Sequence, residues 1–455
     1  MRQLTKFRVT GLLGQFDHTI NFSRSSSVTI LYGPNGIGKT KVLDIINSAL
    51  QLELGSLSRI PFEEATLTFD DNHHLIVANA GDPEGRPPFE EDRVQAWLAA
   101  LDVNFTLVAP NKIKQEWSPR REFENEYGLR GESAAQAETL AFEYSRAAER
   151  EYVYALERNR ARYRQRDAYA ALRHRRPDLM APPDWLSNYC EGVASHMIET
   201  QRLVVGTETE EPGGKRRNRP AVQEYREDLA KNIKDTLAEN SKTAARLDRT
   251  FPRRIMVDTP LDDSVTDAEI RSAFETQRKK RAALSRVGLA DNAEELPLPD
   301  RVLEPLERKV LWTYLADMDK KLRTFDALLA RLERFVDIVN SKFLYKGMQI
   351  DPDLGFTIKT ASGRAVPPDG LSSGEQHELV LAYNLLFKTV PGSLVLIDEP
   401  EISLHVVWQQ QFIADLETIA EVVPMQFIIA THSPQVINKW WDRAIALEPD
   451  PSLFA

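Results

Sequence analysis

Cysteine is nearly absent from this 455-residue chain, with Cys190 the single example. That excludes an internal disulfide framework and a zinc site built on several thiolates, and it suits a reducing cytoplasm. No run of about 18 consecutive apolar residues exists, so the sequence offers no membrane-spanning helix. The opening Met1-Arg2-Gln3-Leu4-Thr5-Lys6 has no apolar core, so no secretory signal is expected. Internal repeats and low-complexity tails are missing too. Positive charge is not in excess: the formal net charge is −10, which argues against wholesale wrapping by nucleic acid and leaves local patches open. What remains is 42% hydrophobic and 28% charged, the balance of a soluble globular protein. The length suggests about three domains.

The most informative stretch is Gly33-Pro34-Asn35-Gly36-Ile37-Gly38-Lys39-Thr40, a complete phosphate-binding loop. It follows the apolar run Val28-Thr29-Ile30-Leu31-Tyr32 and precedes the helix-like Val42-Leu43-Asp44-Ile45-Ile46-Asn47. A glycine loop between a buried strand and a helix lets backbone N–H groups turn inward around phosphates. Lys39 then reaches the β- and γ-phosphates, and the Thr40 hydroxyl is placed to ligate Mg²⁺. The residues therefore predict binding of a nucleoside triphosphate.

Along the chain, residues 1–110 read as an N-terminal lobe of strands at 6–9, 18–22, 28–32, 65–69 and 74–77. The last two bracket Asp70-Asp71-Asn72-His73, a polar hairpin turn. Residues 111–195 read as a helical, basic insertion with its helix over 130–176, and 196–205 as a return strand. Residues 206–340 read as a helical arm entered through Gly213-Gly214-Lys215-Arg216-Arg217. Its apolar stripes are Val222, Tyr225, Leu229, Ile233, Leu237, Asn240, Ala244 and Leu247, then Leu306, Val310, Tyr314, Met318, Leu322, Phe325, Leu329, Leu332, Val336 and Val339. Pro252, Pro260, Pro297 and Pro299 are expected to break the segment between them. Residues 341–455 return to strand and helix alternation.

That last block carries three more motifs. Leu394-Val395-Leu396-Ile397-Asp398-Glu399 is a buried-strand run ending in two acids: Asp398 would hold Mg²⁺ and Glu399 would position or deprotonate the attacking water. Leu371-Ser372-Ser373-Gly374-Glu375 opens a helix over 376–388. It reads either as an anion site or as an ordinary capped helix start. Phe427-Ile428-Ile429-Ala430 leads into Thr431-His432-Ser433, a histidine at a strand end.

In this order, the four motifs resemble the ATP-binding-cassette class of P-loop ATPases. Ser-Ser-Gly-Glu, Asp-Glu-Pro-Glu-Ile-Ser-Leu-His and Ala-Thr-His-Ser-Pro are similar to the RecF/SMC/OLD-like branch. The resemblance covers roughly residues 1–60, 196–205 and 340–445. It implies an α/β fold: a P-loop ATPase head of mixed sheet flanked by helices, with a helical or coiled-coil arm inserted. ATP and Mg²⁺ are the implied cofactors, and Glu399 and His432 the implied catalytic residues. Ser372, Ser373 and Gly374 become a signature that touches ATP in a second head. Gln201 becomes the glutamine-loop sensor of Mg²⁺, with Gln115 as a rival. Asn111-Lys112-Ile113-Lys114 lacks the aspartate of a guanine reader, which favours adenine, and Phe16 or Tyr32 could stack on the base. The single cysteine rules out a zinc hook. About twenty residues follow His432, which leaves no room for the TOPRIM nuclease domain of the OLD enzymes. Resemblance to stand-alone ATPases of Septu- or PARIS-like systems implies anti-phage defence with a separately encoded effector nuclease. RecF-like repair is the alternative, and a transporter motor the remote one.

One charged feature stands outside these motifs. Arg158, Arg162 and Arg166 share a face of the expected helix, among further arginines and Tyr163 and Tyr169. Such a stripe suits DNA or RNA phosphates, an acidic protein partner, or plain solvation.

Overall fold

The computed structural model describes residues 2–23, 26–80, 101–126, 181–199, 221–257, 265–290 and 297–448. The chain divides into two compact units, one of residues 1–201, 208–210 and 389–455, the other of residues 202–207 and 211–388. The expected helix over 130–176, the basic hinge, Pro260, Gln201 and the arginine stripe lie outside the described residues.

The first unit opens with β1 (Leu4–Leu12), β2 (Phe16–Asn21), β3 (Val28–Tyr32), α1 (Lys39–Leu50) and α2 (Leu54–Leu57). It continues through β4 (Glu64–Phe69), β5 (His74–Asn79), β6 (Val103–Val108), β7 (Lys114–Trp117), α3 (Pro119–Glu126), α4 (Asp184–Glu191) and β8 (Ser195–Glu199). The second unit contains α5 (Ala221–Val257), α6 (Asp267–Arg286), α7 (Pro305–Arg323), α8 (Asp326–Lys342), β9 (Lys346–Asp351), β10 (Gly355–Thr360), β11 (Ala365–Val366) and α9 (Ser373–Tyr383). The chain then returns to the first unit with β12 (Leu394–Asp398), α10 (Val406–Val422), β13 (Gln426–Ala430), α11 (Pro434–Ile437) and β14 (Ala444–Ala446).

Two sheets make the first unit. One is antiparallel, in the order β2-β1-β4-β5-β6-β7, and its strands alternate buried and half-exposed residues, as a sheet with one covered face must. The Asp70–His73 turn joins β4 and β5 as expected, with Asn72 in the left-handed region at φ 59°. The other sheet, β14-β3-β13-β12-β8, pairs in parallel throughout. Its strands β3 and β12 are continuous apolar runs because both faces are covered. Helix α1 supplies the cover: Val42, Leu43, Ile45, Ile46 and Ala49 share one core with Phe7, Leu67 and Phe105 of the antiparallel sheet and with Leu396 and Ile428 of the parallel one. The fold is α/β, a P-loop head with an inserted helical unit.

In the second unit α5 buries Val222, Tyr225, Leu229, Ile233 and Leu247, the expected stripe. The helix does not stop at Pro252 but runs through it to Val257. Pro252 leaves Asp248 O without its helical N–H donor, and side chains brace the turn just before it: the Thr250 hydroxyl bonds Arg246 O and Leu247 O, and the Arg254 guanidinium also bonds Leu247 O. A second correction concerns α7. Leu306 and Tyr314 of the expected stripe are 66% and 39% exposed, whereas Leu315 is buried with Ile270 and Leu303, and Leu311 packs against them. Helix α6, seated on that face, decides the matter, and either face has helical spacing. Beyond residue 320 the expected stripe holds, with Leu322, Phe325, Leu329, Leu332 and Val339 buried. Helix α9 is tied to its surroundings by a buried ion pair between Glu378 and Lys342, and passes directly into a π-helical turn over 384–388. Tyr383 stacks between Tyr225 and Phe387 there, at 4.6 and 4.8 Å between ring centres.

Candidate functional site

The carboxyl ends of three neighbouring parallel strands meet at one place in the first unit. Spatial order β3-β13-β12 puts the glycine loop beside the histidine and the histidine beside the paired acids, although the chain reaches them in the order 3, 12, 13. Ligands bind at such strand ends in parallel α/β sheets.

Each side chain is placed by a local reason. Gly38, at φ 93°, ends the loop in the left-handed region, and a Cβ there would come within 2.6 Å of Leu12 Cδ2. A Cβ on Gly36 would meet nothing within 4 Å, so the loop opens onto free space. Helix α1 begins without a side-chain cap. Its first amides thus form an anion cradle. The Lys39 amine donates to Gly33 O at 2.9 Å and Pro34 O at 3.0 Å, and lies 3.2 Å from His432 Nδ1. The Thr40 hydroxyl lies 3.0 and 3.2 Å from the two Asp398 oxygens. Glu399 takes left-handed backbone angles (φ 45°, ψ 56°) and donates its N–H to Ala430 O at 2.9 Å. Such a conformation in a non-glycine residue costs energy and is typical of active sites. Glu399 Oε1 comes within 3.8 Å of His432 Nε2.

Burial sets the electrostatics. It pushes the Asp398 carboxyl up to about 6, reinforced by the charges of Glu399, Asp44 and Glu401 and opposed by the Thr40 hydrogen bond. Burial also lowers the Lys39 ammonium, while the charges of Glu399, Asp398 and Glu401 pull the other way. A partly desolvated lysine among three acids, an uncapped helix start, and a hydroxyl–carboxylate pair make a donor set suited to a triphosphate with Mg²⁺. Thr40 and Asp398 are the residues that would hold the cation. The chemistry of the site fits both cofactors.

The serine–glycine motif lies in the second unit. Ser372 caps α9, its hydroxyl accepting Glu375 N–H at 3.4 Å in a capping box. Glu375 Oε2 accepts from Ser372 N at 2.8 Å, from the Ser372 hydroxyl at 2.9 Å and from Lys346 Nζ at 2.8 Å. Both readings of this motif, capped helix and anion site, share these atoms.

Several residues matter that the sequence did not single out. His18 of β2 is buried and bonds Ile37 O at 2.9 Å, bracing the glycine loop from beneath. Glu401 Oε1 accepts the backbone N–H groups of His432 and Ser433. Its place inside Asp-Glu-Pro-Glu-Ile-Ser-Leu-His was the available signal, whereas nothing marked His18. Of the aromatics proposed for the base, Phe16 is buried and lies parallel to His18, and Tyr32 meets the edge of Trp441. Gln115 is exposed on the edge strand β7.

Residues 207–438 match the protein-family model AAA_21, described as "AAA domain, putative AbiEii toxin, Type IV TA system". Among solved structures, the chain is similar to the Smc head domain with an extended coiled coil bound to the C-terminal domain of ScpA, from Pyrococcus furiosus. That match has 15% identity over 99% of this chain and 94% of that one, with a TM-score of 0.34. It is likewise similar to the Smc head domain with a coiled coil and joint from Pyrococcus yayanosii. There the identity is 15% over 98% and 95% of the two chains, with a TM-score of 0.30.

Proposed function

We infer that this chain, which belongs to the AAA_21 family of AAA domains, is an ATPase of the SMC/RecF kind. The observation that carries the reading is the meeting of Thr40 with Asp398 at 3.0 Å, beside Lys39 and His432, where three parallel strands end. Lys39 neutralises phosphate charge, and the α1 amides orient the phosphates. Mg²⁺, when bound, offsets the charge that builds on the phosphoryl oxygens. Glu399 accepts the proton of the attacking water, and His432, between Lys39 and Glu399, couples the phosphate side of the site to the water side.

We further propose that ATP joins two copies of the chain, with Ser372, Ser373 and Gly374 of each completing the site of the other. The pair would act on a nucleic acid or on a separately encoded effector. The role we propose is defence against phage, with a RecF-like repair clamp as the alternative; the family description, "putative AbiEii toxin, Type IV TA system", is compatible with the first.

The purified chain should hydrolyse ATP only with Mg²⁺ present, and Lys39→Ala should weaken equilibrium binding of ATP. Unaltered ATP affinity in Lys39→Ala would remove the site assignment. DNA-stimulated hydrolysis with no effector present would select the repair reading.

A further inference from the structure

Glu401 lies two residues past the catalytic pair, on the 3-10 turn of residues 400–403. Its Oε1 accepts His432 N–H at 2.7 Å and Ser433 N–H at 3.1 Å, and so joins the end of β12 to the end of β13. Its Oε2 is buried without a hydrogen-bond partner. A carboxylate oxygen left so, close enough to Asp398 to feel its charge, is costly and calls for a physical reason. Gln409 of α10 builds a second tie across the same gap. It donates to Glu401 O at 3.2 Å and accepts the Ser433 hydroxyl at 2.9 Å.

What these ties fix is the histidine. His432 Nδ1 is 3.2 Å from the Lys39 amine, and an ammonium can only donate, so Nδ1 carries the lone pair and Nε2 the proton. The Nε2–H then faces Glu399, 3.8 Å away. The His432 ring is 32% exposed, and its polar contacts among the described residues are those with Lys39 and Glu399. Its orientation therefore depends on the backbone from which it projects, and Glu401 grips that backbone at two successive amides.

We propose that Glu401 is a positioning residue, whose carboxylate, bridging the amides of His432 and Ser433, holds the His432 ring between Lys39 and Glu399 for the hydrolytic step. This rests on the reading of the site as an ATP-hydrolysing centre. Geometry, not charge, is the contribution, and three substitutions separate the two. Gln keeps the reach and one carbonyl acceptor but loses the charge. Asp keeps the charge and falls short by one methylene, and Ala loses both.

The full-length chain is assayed for kcat and KM with ATP, for equilibrium ATP binding, and by ¹⁵N NMR of the His432 ring without nucleotide. Glu401→Ala and Glu401→Asp should lower kcat about 10- to 100-fold, the usual penalty for a displacement of about 1 Å, with KM and ATP affinity unchanged. Glu401→Gln should recover most of the turnover. The wild type and Glu401→Gln should show the Nε2–H tautomer, and Glu401→Ala and Glu401→Asp a ring averaged between tautomers. The opposite ranking, with Asp active and Gln inactive, would overturn the proposal in favour of a charge effect. So would wild-type turnover and an unchanged His432 signal in Glu401→Ala. If Glu401→Ala does not fold, the Gln and Asp pair decides alone. A wild type with no ATPase activity would count against the proposed function, while the ring signals would still judge Glu401.

Discussion

At the residue scale, the site turns on which acid does what. Asp398 sits on the Thr40 hydroxyl, and Glu399, held in the left-handed region, points toward His432 instead. Glu399→Gln should therefore bind ATP with Mg²⁺ normally and turn it over about 10²- to 10⁴-fold more slowly, the range for loss of a general base. Single-turnover kinetics beside equilibrium binding would check it, and wild-type turnover would move the base elsewhere. The sequence disclosed these residues through the order of four motifs and their resemblance to a known ATPase class; an acid pair or a lone histidine at a strand end is a weak signal by itself. Glu401 and His18 were not legible in the same way. Their partners are backbone atoms of Ile37, His432 and Ser433, and backbone partners leave no trace in residue type.

At the element scale, α9 depends on a charge pair. Burial raises the Glu375 carboxyl, but the bonds from Lys346 and from Ser372 outweigh it, and the net shift is below the ordinary value of 4.5. Glu375 is thus ionised when folded at pH values where the unfolded chain has taken up a proton. The resulting stabilisation is full above about pH 4.5 and fades as pH falls through the depressed value. Lys346→Met should cost about 1.5–3 kcal/mol near neutral pH, as for a hydrogen bond to a charged group. In urea titrations the gap from wild type should narrow as the pH drops below 4.5, and a constant gap would mean that the lysine acts by packing alone. Helix α7 gives a complementary case. Leu315→Ala should cost about 2–5 kcal/mol and Leu306→Ala about 0–0.5 kcal/mol, measured by the same titrations. Equal costs would restore the face that periodicity suggested. Both faces of α7 repeat at helical spacing, so the sequence could announce a helix and its length but not the side that α6 would cover. Pro252 misled for a related reason: whether a proline ends a helix depends on the support around it, and here Thr250 and Arg254 brace the preceding turn through Arg246 O and Leu247 O.

At the scale of the whole molecule, motif order disclosed the head, and the division into two units is consistent with a long insertion between β8 and β12. Where the division falls was less legible, because the helix that carries Ser372 has the same alternating strand and helix surroundings as the head itself. The topology also dictates a timetable. In the parallel sheet Val28 pairs with Phe427, and Leu4 exchanges both its backbone hydrogen bonds with the Gln426 side chain, at 3.1 and 2.8 Å. During translation β3 therefore emerges hundreds of residues before its neighbours β13 and β14 exist, and it must wait as an unpaired apolar strand. Residues 211–388 are contiguous and owe nothing to that delay. Contacts of such high sequence separation form late, because the chain must be closed into a loop before they return any energy. In pulsed hydrogen exchange during refolding, amides of α5 and α8 should gain protection before those of β3 and β13; simultaneous protection would refute this order. The exposed β3 run is then a natural client for a holdase chaperone at the ribosome exit, and the glycine loop gains its cradle only when the last strands arrive. A nascent chain of this protein carries a nucleotide motif long before it has a nucleotide site.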